Sequence, residues 1–285
     1  MGLKIENLTY VYLPKTPYEK KALDGIDLEI CDREFTGIIG HTGSGKSTLV
    51  QHFNGLLKPT SGRILYNDAD IAKMNMKELR RNVGMVFQYP EHQLFDETVY
   101  KDISFGLVRQ GFKEDEIKDR VYAAAAALEI GEELLQKSPF ELSGGQKRRV
   151  AIAGVIVMQP KVLILDEPAA GLDPRGRDRI YGLIKSMYEK SGITVILVSH
   201  NMEDIAKLVD RVVVMNKGRI DMDGPVSAIF ADVAHLESIG LKSPQITYFM
   251  KKLKETYPEL NANVFTIDGA KCEIEKMMSE RKKTC

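Results

Sequence analysis

Cysteine is scarce in this chain of 285 residues, which has three, at Cys31, Cys272 and Cys285. They are odd in number and far apart, and none has the C-x-x-C spacing. Neither a disulfide framework nor a zinc site is therefore indicated. This usage fits a reducing compartment best.

An excess of charge of one sign and a long hydrophobic run are also missing. Lys and Arg total 40 and Asp and Glu total 40, so no global basic field favours nucleic acid. The longest useful apolar run, residues 150–158, is far shorter than the roughly 20 residues that span a membrane as a helix. Lys4 and Glu6 leave no apolar core for a signal peptide at the N-terminus. We predict no nucleic-acid partner and no direct membrane span.

The composition that remains is ordinary for a globular protein, with 44% hydrophobic and 28% charged residues. Short alternating segments at 4–12 and 26–30 predict strands, and residues from about 91 to 158 predict a mainly helical insertion. Continuous apolar runs at 162–165 and 194–198 are typical of parallel strands that are buried on both faces. The pattern predicts an α/β core with a helical insertion and a helical tail.

A glycine-rich motif of the form GxxxxGK[ST] lies between a predicted strand and a predicted helix. Its glycines let backbone N–H groups surround phosphate oxygens, and the helix that follows points its positive end at them. Lys46 would reach the β- and γ-phosphates, and the Ser47 hydroxyl would ligate Mg²⁺. His41 occupies a variable position, to which we assign no chemistry. This phosphate loop, residues 40–48, reads Gly40-His41-Thr42-Gly43-Ser44-Gly45-Lys46-Ser47-Thr48.

Two carboxylates, Asp166 and Glu167, follow the apolar run at 162–165. A buried parallel strand places them at the carboxyl end of the sheet, where ligands bind in open α/β folds. Together with the phosphate loop, they predict that Asp166 holds Mg²⁺, directly or through water. Glu167 is predicted to polarise the attacking water.

The LSGGQ motif is Leu142-Ser143-Gly144-Gly145-Gln146. Ser143 can cap the following helix, and the two glycines leave backbone amides open to a second anion. With this motif the chain resembles the ATP-binding cassette (ABC) family over about residues 1–230. The resemblance implies a P-loop ATPase with an antiparallel β subdomain, and ATP and Mg²⁺ as cofactors. It also implies a pair of cassettes, in which Ser143, Gly144, Gly145 and Gln146 of one contact the ATP of the other.

The same resemblance implies roles for single residues elsewhere. Tyr12 would stack on adenine, with Tyr10 as the alternative. Gln88 would sense Mg²⁺ and the γ-phosphate, and His200 would be the switch histidine that contacts the γ-phosphate. The D-loop at the dimer interface would be Gly171-Leu172-Asp173.

A longer segment narrows the resemblance to the ATPases of energy-coupling factor (ECF) transporters. It reads Phe87-Gln88-Tyr89-Pro90-Glu91-His92-Gln93-Leu94-Phe95. The Ala170-Gly171 pair resembles the second, or A-prime, of two paralogous ATPases. The resemblance implies a second cassette (a paralogue or a second copy), a transmembrane T subunit and an S component that binds a vitamin or metal ion. The expected location is the cytoplasmic face of a prokaryotic cell membrane.

Other members of the broad family remain alternatives. An ABC importer or exporter of conventional type, with a different membrane partner, is the runner-up. Lys46 and Ser143 are only about 100 residues apart, without sustained heptads, which argues against the ABC proteins of chromosomes and DNA repair. A single phosphate loop and a single LSGGQ motif argue against a two-cassette translation factor.

We predict an ATP-binding domain at 1–230 and a helical extension at 231–285. The extension could consist of solvated helices packed on the core or could contact the extension of a partner. A frayed end is expected at 280–285.

Overall fold

We describe the chain from a computed structural model, which covers the backbone of residues 2–284 and the side chains of residues 2–279. The expected frayed end at 280–285 therefore lies outside the residues whose side chains are described. The strands are β1 (Leu3–Tyr12), β2 (Lys20–Ile30), β3 (Phe35–Ile39), β4 (Ser61–Tyr66), β5 (Ala69–Asp70), β6 (Val83–Val86), β7 (Val162–Asp166), β8 (Thr194–Val198), β9 (Arg211–Asn216) and β10 (Arg219–Pro225). The α-helices are α1 (Lys46–Phe53), α2 (Met76–Asn82), α3 (Val99–Gln110), α4 (Glu114–Ala127), α5 (Gly144–Ile156), α6 (Pro174–Ser191), α7 (Met202–Leu208), α8 (Val226–Ala231), α9 (Val233–Ser238), α10 (Gln245–Thr256) and α11 (Ile267–Thr284).

The larger sheet has the strand order β10-β9-β3-β8-β7-β6. Neighbouring strands from β9 to β6 are parallel, and β10 is antiparallel to β9 at the edge. Successive residues of one strand enter different cores, because side chains alternate across a strand. In β7, Leu163 and Leu165 join the core on the helical side, whereas Ile164 joins the core on the other side. The sheet is thus buried on both faces, as its apolar runs predict.

A smaller antiparallel sheet, in the order β2-β1-β4-β5, covers one face of the larger sheet. Helix α1 contributes Leu49, Val50 and Phe53 to the core between them. Strands β4 and β5 were not predicted, because the first three residues of β4 are exposed and the segment lacks a clear alternation. The helix predicted after the phosphate loop is α1, which ends at Phe53. The left-handed backbone of Gly55 (φ 68°) follows its end.

The other face of the larger sheet packs against the insertion and part of the tail. The insertion contains α3, α4 and α5, which confirms its helical prediction. Phe230, Leu236 and Leu241 from the tail enter the same core as the insertion. A separate small core between α10 and α11 contains Met250, Leu260, Ala270 and Met277, with Leu260 coming from the connection between the two helices. The boundary at 230 remains a prediction.

Helices α10 and α11 are amphipathic or strongly polar, and neither approaches the hydropathy of a membrane span. Within residues 2–284, no helix combines the length and apolarity needed to cross a bilayer.

Candidate nucleotide site

The phosphate loop runs from the end of β3 to the start of α1, and its glycines are required by the space around them. A Cβ on Gly40 would lie 2.3 Å from the carbonyl oxygen of Met215. One on Gly45 would lie 2.7 Å from the carbonyl oxygen of Ala22. Both glycines also have positive φ, 154° and 105°, a region that side chains disfavour. The β9–β10 turn supports the loop, since Gly218 N–H donates to the Ser44 carbonyl at 3.0 Å.

Lys46 is the cation at the centre of this loop. Its Nζ donates to the carbonyl oxygens of Gly40 at 2.7 Å and His41 at 3.0 Å. Burial lowers the pKa of Lys46, and the nearby carboxylates of Glu167 and Asp166 oppose the shift. The loop therefore holds a half-buried ammonium group that is within reach of two carboxylates.

Two observations show that the loop suits a bound anion. The Ser44 hydroxyl is buried and has no hydrogen-bond partner in the described structure, an arrangement that calls for a ligand or water. Next to it, a Cβ built on Gly43 would meet no atom within 4 Å. Phosphate oxygens could therefore approach the backbone here without a clash, and the residues fit a nucleotide.

The two predicted carboxylates lie beside the loop. Asp166 is the last residue of β7 and is hydrogen-bonded by the Ser47 hydroxyl. Burial raises the pKa of Asp166, and the bond from Ser47 opposes this rise. Glu167 has a left-handed backbone (φ 53°), and its N–H donates to the Val198 carbonyl at 3.0 Å. Its Oε1 lies 2.8 Å from Nδ1 of His200.

A cavity of about 640 Å³ joins these groups. The predicted residues that line it are Gly40, His41, Thr42, Gly43, Gly45, Lys46, Ser47, Thr48, Gln88, Asp166, Glu167 and His200. Ser44 lies beneath them, fully buried. Tyr12, residues 143–146 and residues 171–173 do not line the cavity.

The structure distinguishes between the two tyrosines that are candidates for stacking on adenine. Tyr10 packs edge-on against the buried His52, with ring centres 4.8 Å apart, and contacts the core between the sheets. Tyr12 is 37% exposed, and its hydroxyl lies 3.1 Å from Thr48 Oγ1 at the end of the loop. The rings of Tyr10 and Tyr12 also pack edge-on, with centres 4.8 Å apart, and Tyr12 is the more exposed of the two and lies beside the phosphate loop.

The LSGGQ motif lies on a different surface of the chain. Ser143 caps α5, with Gln146 N–H donating to the Ser143 hydroxyl at 3.4 Å and Ser143 N–H donating to Gln146 Oε1 at 2.9 Å. A Cβ built on Gly144 or Gly145 would meet nothing within 4 Å. The predicted D-loop is also accessible, and its Asp173 caps α6 by accepting from Gly176 N–H at 2.7 Å.

Sequence reasoning missed four residues that line the cavity. Val198 and Met202 flank the predicted His200, while Gly240 and Leu241 come from the tail. The tail carries no motif, so only the packing of α9 could place the residues that follow this helix at the cavity. His41 also gains a neighbour that was not predicted, because its Nε2 lies 3.3 Å from Asn216 Oδ1.

The fold and this site define the chain as a P-loop ATPase of the ATP-binding cassette class. The ABC transporter family matches residues 23–170. An "Energy-coupling factor transporter ATP-binding protein EcfA2" from Acetivibrio thermocellus is 60% identical, over 97% of this chain and 98% of that protein. A protein of the same name from Clostridium tetani is 56% identical over the full length of both.

Solved structures agree with these relatives. The cbiO1 protein of Clostridium perfringens, described as part of the ABC transporter complex cbiONQ, is 45% identical with a TM-score of 0.74, over 87% of this chain and 98% of that one. A dimeric bacterial ABC transporter cassette is 28% identical with a TM-score of 0.70, over 79% of this chain and 98% of that one. The chain belongs to the ABC transporter family, as an ATP-hydrolysing ATP-binding subunit of the energy-coupling factor type.

Proposed function

We propose that this chain hydrolyses ATP at a site that it shares with a second cassette, and that closure of the pair drives a membrane-embedded uptake complex. The observation that carries the proposal is the separation of the two anion-binding elements. The phosphate loop lines a cavity, whereas residues 143–146 are accessible on another surface. Each element would bind a different ATP molecule, so a complete site needs two chains.

Nucleotide binding follows from the loop. Backbone N–H groups of residues 40–48 would surround the phosphates, and Lys46 would exchange its two carbonyl partners for phosphate oxygens, which carry full charge. The helix α1 adds the positive end of its dipole. Tyr12 would stack on adenine, because it is the more exposed of the two tyrosines and its hydroxyl lies at the end of the loop, while Tyr10 packs on His52.

The metal site would use few protein ligands. Ser47 and Asp166 already contact each other through a hydrogen bond, and Gln88 lines the same cavity. Oxygen ligands of this kind, completed by phosphate and water, suit Mg²⁺. Mg²⁺ bound there would offset negative charge on the phosphates.

Hydrolysis would depend on Glu167 and His200. Glu167 would orient and polarise the attacking water and accept its proton, because its carboxylate is adjacent to the phosphate loop. His200, 2.8 Å from that carboxylate, would hold it in place and contact the γ-phosphate. The left-handed backbone at Glu167 fixes where the carboxylate enters the cavity.

The LSGGQ motif of the second cassette would contact the ATP bound by this chain. Reciprocally, the partner's ATP would be contacted by Ser143, Gly144, Gly145 and Gln146 of this chain. Gly144 and Gly145 lie in the first turn of α5, between the two N–H groups that the Ser143–Gln146 capping box uses, and would offer amide donors for a phosphate. Residues 171–173 would lie at the interface between the cassettes. The Ala170-Gly171 pair favours a paralogous partner over a second copy.

The membrane partners would be a transmembrane T subunit and an S component that binds a vitamin or metal ion. The segment after Gln88 exposes Phe95 and the insertion exposes Phe140, at 61% and 69%. Contiguous exposed apolar patches mark interaction sites, and Phe95 forms a pair with the exposed Phe105, with ring centres 5.1 Å apart. We assign the segment from Gln88 through the insertion to coupling helices of the T subunit. The chain would then lie at the cytoplasmic face of a prokaryotic membrane, with residues 1–230 as ATPase and 231–285 as an extension.

Purification of the tagged chain from its native membranes in mild detergent, with partners identified by mass spectrometry, tests this assignment. Recovery of a second cassette, a T-type membrane protein and small S-type proteins would support it. Recovery of a conventional permease pair would leave the ATPase and overturn the ECF partners. Recovery of ribosomes or DNA-bound proteins without membrane proteins would overturn transport altogether.

A further inference from the structure

Arg148 is a buried charge that none of the roles above uses. Its side chain is only 2% exposed. Nε and Nη2 donate to Oε2 and Oε1 of Glu91 at 2.9 and 2.5 Å, which makes a two-pronged ion pair. Nη1 donates to the backbone carbonyls of Ala170 at 2.5 Å and Pro168 at 3.3 Å. The whole guanidinium fork is thus occupied.

These contacts join three segments that belong to different parts of the ATPase. Arg148 lies in the second turn of α5, the helix that Ser143 caps. Glu91 lies in the short 3-10 turn at 90–93, just after Gln88. Pro168 directly follows Glu167. One side chain therefore connects the LSGGQ helix, the Gln88 segment and the peptide that carries the proposed water-activating carboxylate.

The backbone around these contacts is tightly constrained. Glu167 and Tyr89 both have left-handed backbones, with φ of 53° and 54°. The Ala170 N–H donates to the Glu167 carbonyl at 3.1 Å, which closes a turn over Pro168. The Tyr89 ring lies 5.9 Å from the Arg148 guanidinium carbon. Its Cε1 would be 3.6 Å from a Cβ on Gly171. A shift of Arg148 would therefore displace the peptide next to Glu167.

Stability alone does not call for an ion pair at this position. Apolar residues of similar volume often stabilise a core as well as a buried pair does. A guanidinium differs in its rigid plane, which holds a carboxylate and two carbonyls in fixed directions. Burial opposes ionisation of Glu91, but the hydrogen bonds and charge of Arg148 outweigh it, and the pKa of Glu91 lies below its usual value. The pair is therefore charged at neutral pH.

We propose that Arg148 is a positioning residue, which links the LSGGQ helix to Glu167 of the same chain through its bonds to Glu91, Pro168 and Ala170. When Ser143 engages the partner's ATP, the movement of α5 passes through Arg148 to the Gln88 segment and to Glu167. The state of one ATP site thereby sets the geometry of the other. This inference rests on the proposed function, in which the two elements serve different ATP molecules.

Three variants of the tagged, membrane-purified complex test the link. Arg148→Lys keeps the positive charge but loses the planar guanidinium that bonds Glu91 and the two carbonyls at once. The double change Arg148→Met with Glu91→Leu removes both charges and leaves no unpaired one. Arg63→Lys is the matched control, because Arg63 forms a solvent-accessible pair with Glu6 (Nε to Oε2 2.5 Å) in the small sheet, and neither residue lines the cavity. The measured quantities are kcat, the KM for ATP and the thermal midpoint.

We expect kcat of the double variant to fall by about 10- to 100-fold, the effect of a small misplacement of a catalytic group. Its KM and thermal midpoint should match the wild type, which a merely structural role would not allow. Arg148→Lys should also lower kcat, whereas Arg63→Lys should leave kcat, the KM for ATP and the thermal midpoint unchanged. The proposed role of Arg148 would be overturned, and the proposed function left standing, by either of two results. One is a double variant with wild-type kcat, and the other is a loss of kcat that accompanies a fall in the thermal midpoint. A wild-type complex without ATPase activity, or one whose activity survives Lys46→Ala, would overturn the proposed function and this inference with it.

Discussion

Replacing Glu167 by Gln should separate ATP binding from ATP hydrolysis. Glu167 is largely buried, and its Oε1 lies 2.8 Å from Nδ1 of His200. Glutamine has the same shape and keeps an oxygen at that position, so the cavity and the contact with His200 should persist. What disappears is the basicity of the carboxylate. A general base contributes about 10²- to 10⁴-fold to rate, or about 3 to 5 kcal/mol of barrier.

The assay is phosphate release by the tagged complex, with equilibrium ATP binding measured on the same samples. Glu167→Gln should lower kcat at least about 100-fold and leave the dissociation constant for ATP within about threefold. Glu189→Gln, at the exposed end of α6, is the control and should match the wild type in both assays. Turnover by Glu167→Gln within about threefold of the wild type would refute the role of Glu167 as base.

Further predictions concern the loop, the tail and pH. Lys46→Ala should weaken ATP binding at least about tenfold in equilibrium titration, because a charge-assisted contact to phosphate is lost; unchanged affinity would contradict this. Phe230→Ala should lower the free energy of unfolding in urea by about 3–5 kcal/mol, because its side chain is fully buried; the exposed Phe249 is the control. Asp221, 2.5 Å from His235, raises the pKa of that histidine. The stability that this pair contributes is therefore complete below the unfolded histidine pKa of about 6.5, and it is lost as pH rises through the folded pKa. Asp221→Asn should lower the thermal midpoint more in acid than in alkali, and an equal loss at both pH values would contradict this.

The central site could be predicted from sequence because its chemistry is local. Nine consecutive residues form the phosphate loop, and a strand that ends in two carboxylates places them next to it. The pairing of Glu167 with His200 also follows once both are placed after neighbouring parallel strands, β7 and β8. These features depend on short segments whose neighbours in the sheet are fixed by apolar runs.

Features that depend on long-range packing could not be predicted. Gly240 and Leu241 reach the cavity only because α8 and α9 pack Phe230 and Leu236 into the core. The burial of Arg148 was unforeseen as well, since arginine is usually exposed unless it is paired. Its partner Glu91 is 57 positions away, and no local pattern joins the two. Strand β4 was missed because half of it is exposed.

Photolabelling of the purified complex with an ATP analogue that is reactive at the γ-phosphate tests the shared ATP site most directly. Peptide mass spectrometry would locate the label on this chain. We predict label on the peptide with Lys46 and on the peptide with Ser143. In the Lys46→Ala variant the first label should disappear, while the label at Ser143 should persist, because the partner's loop holds that ATP. Absence of label at Ser143, or its loss together with the label at the loop, would contradict the paired site.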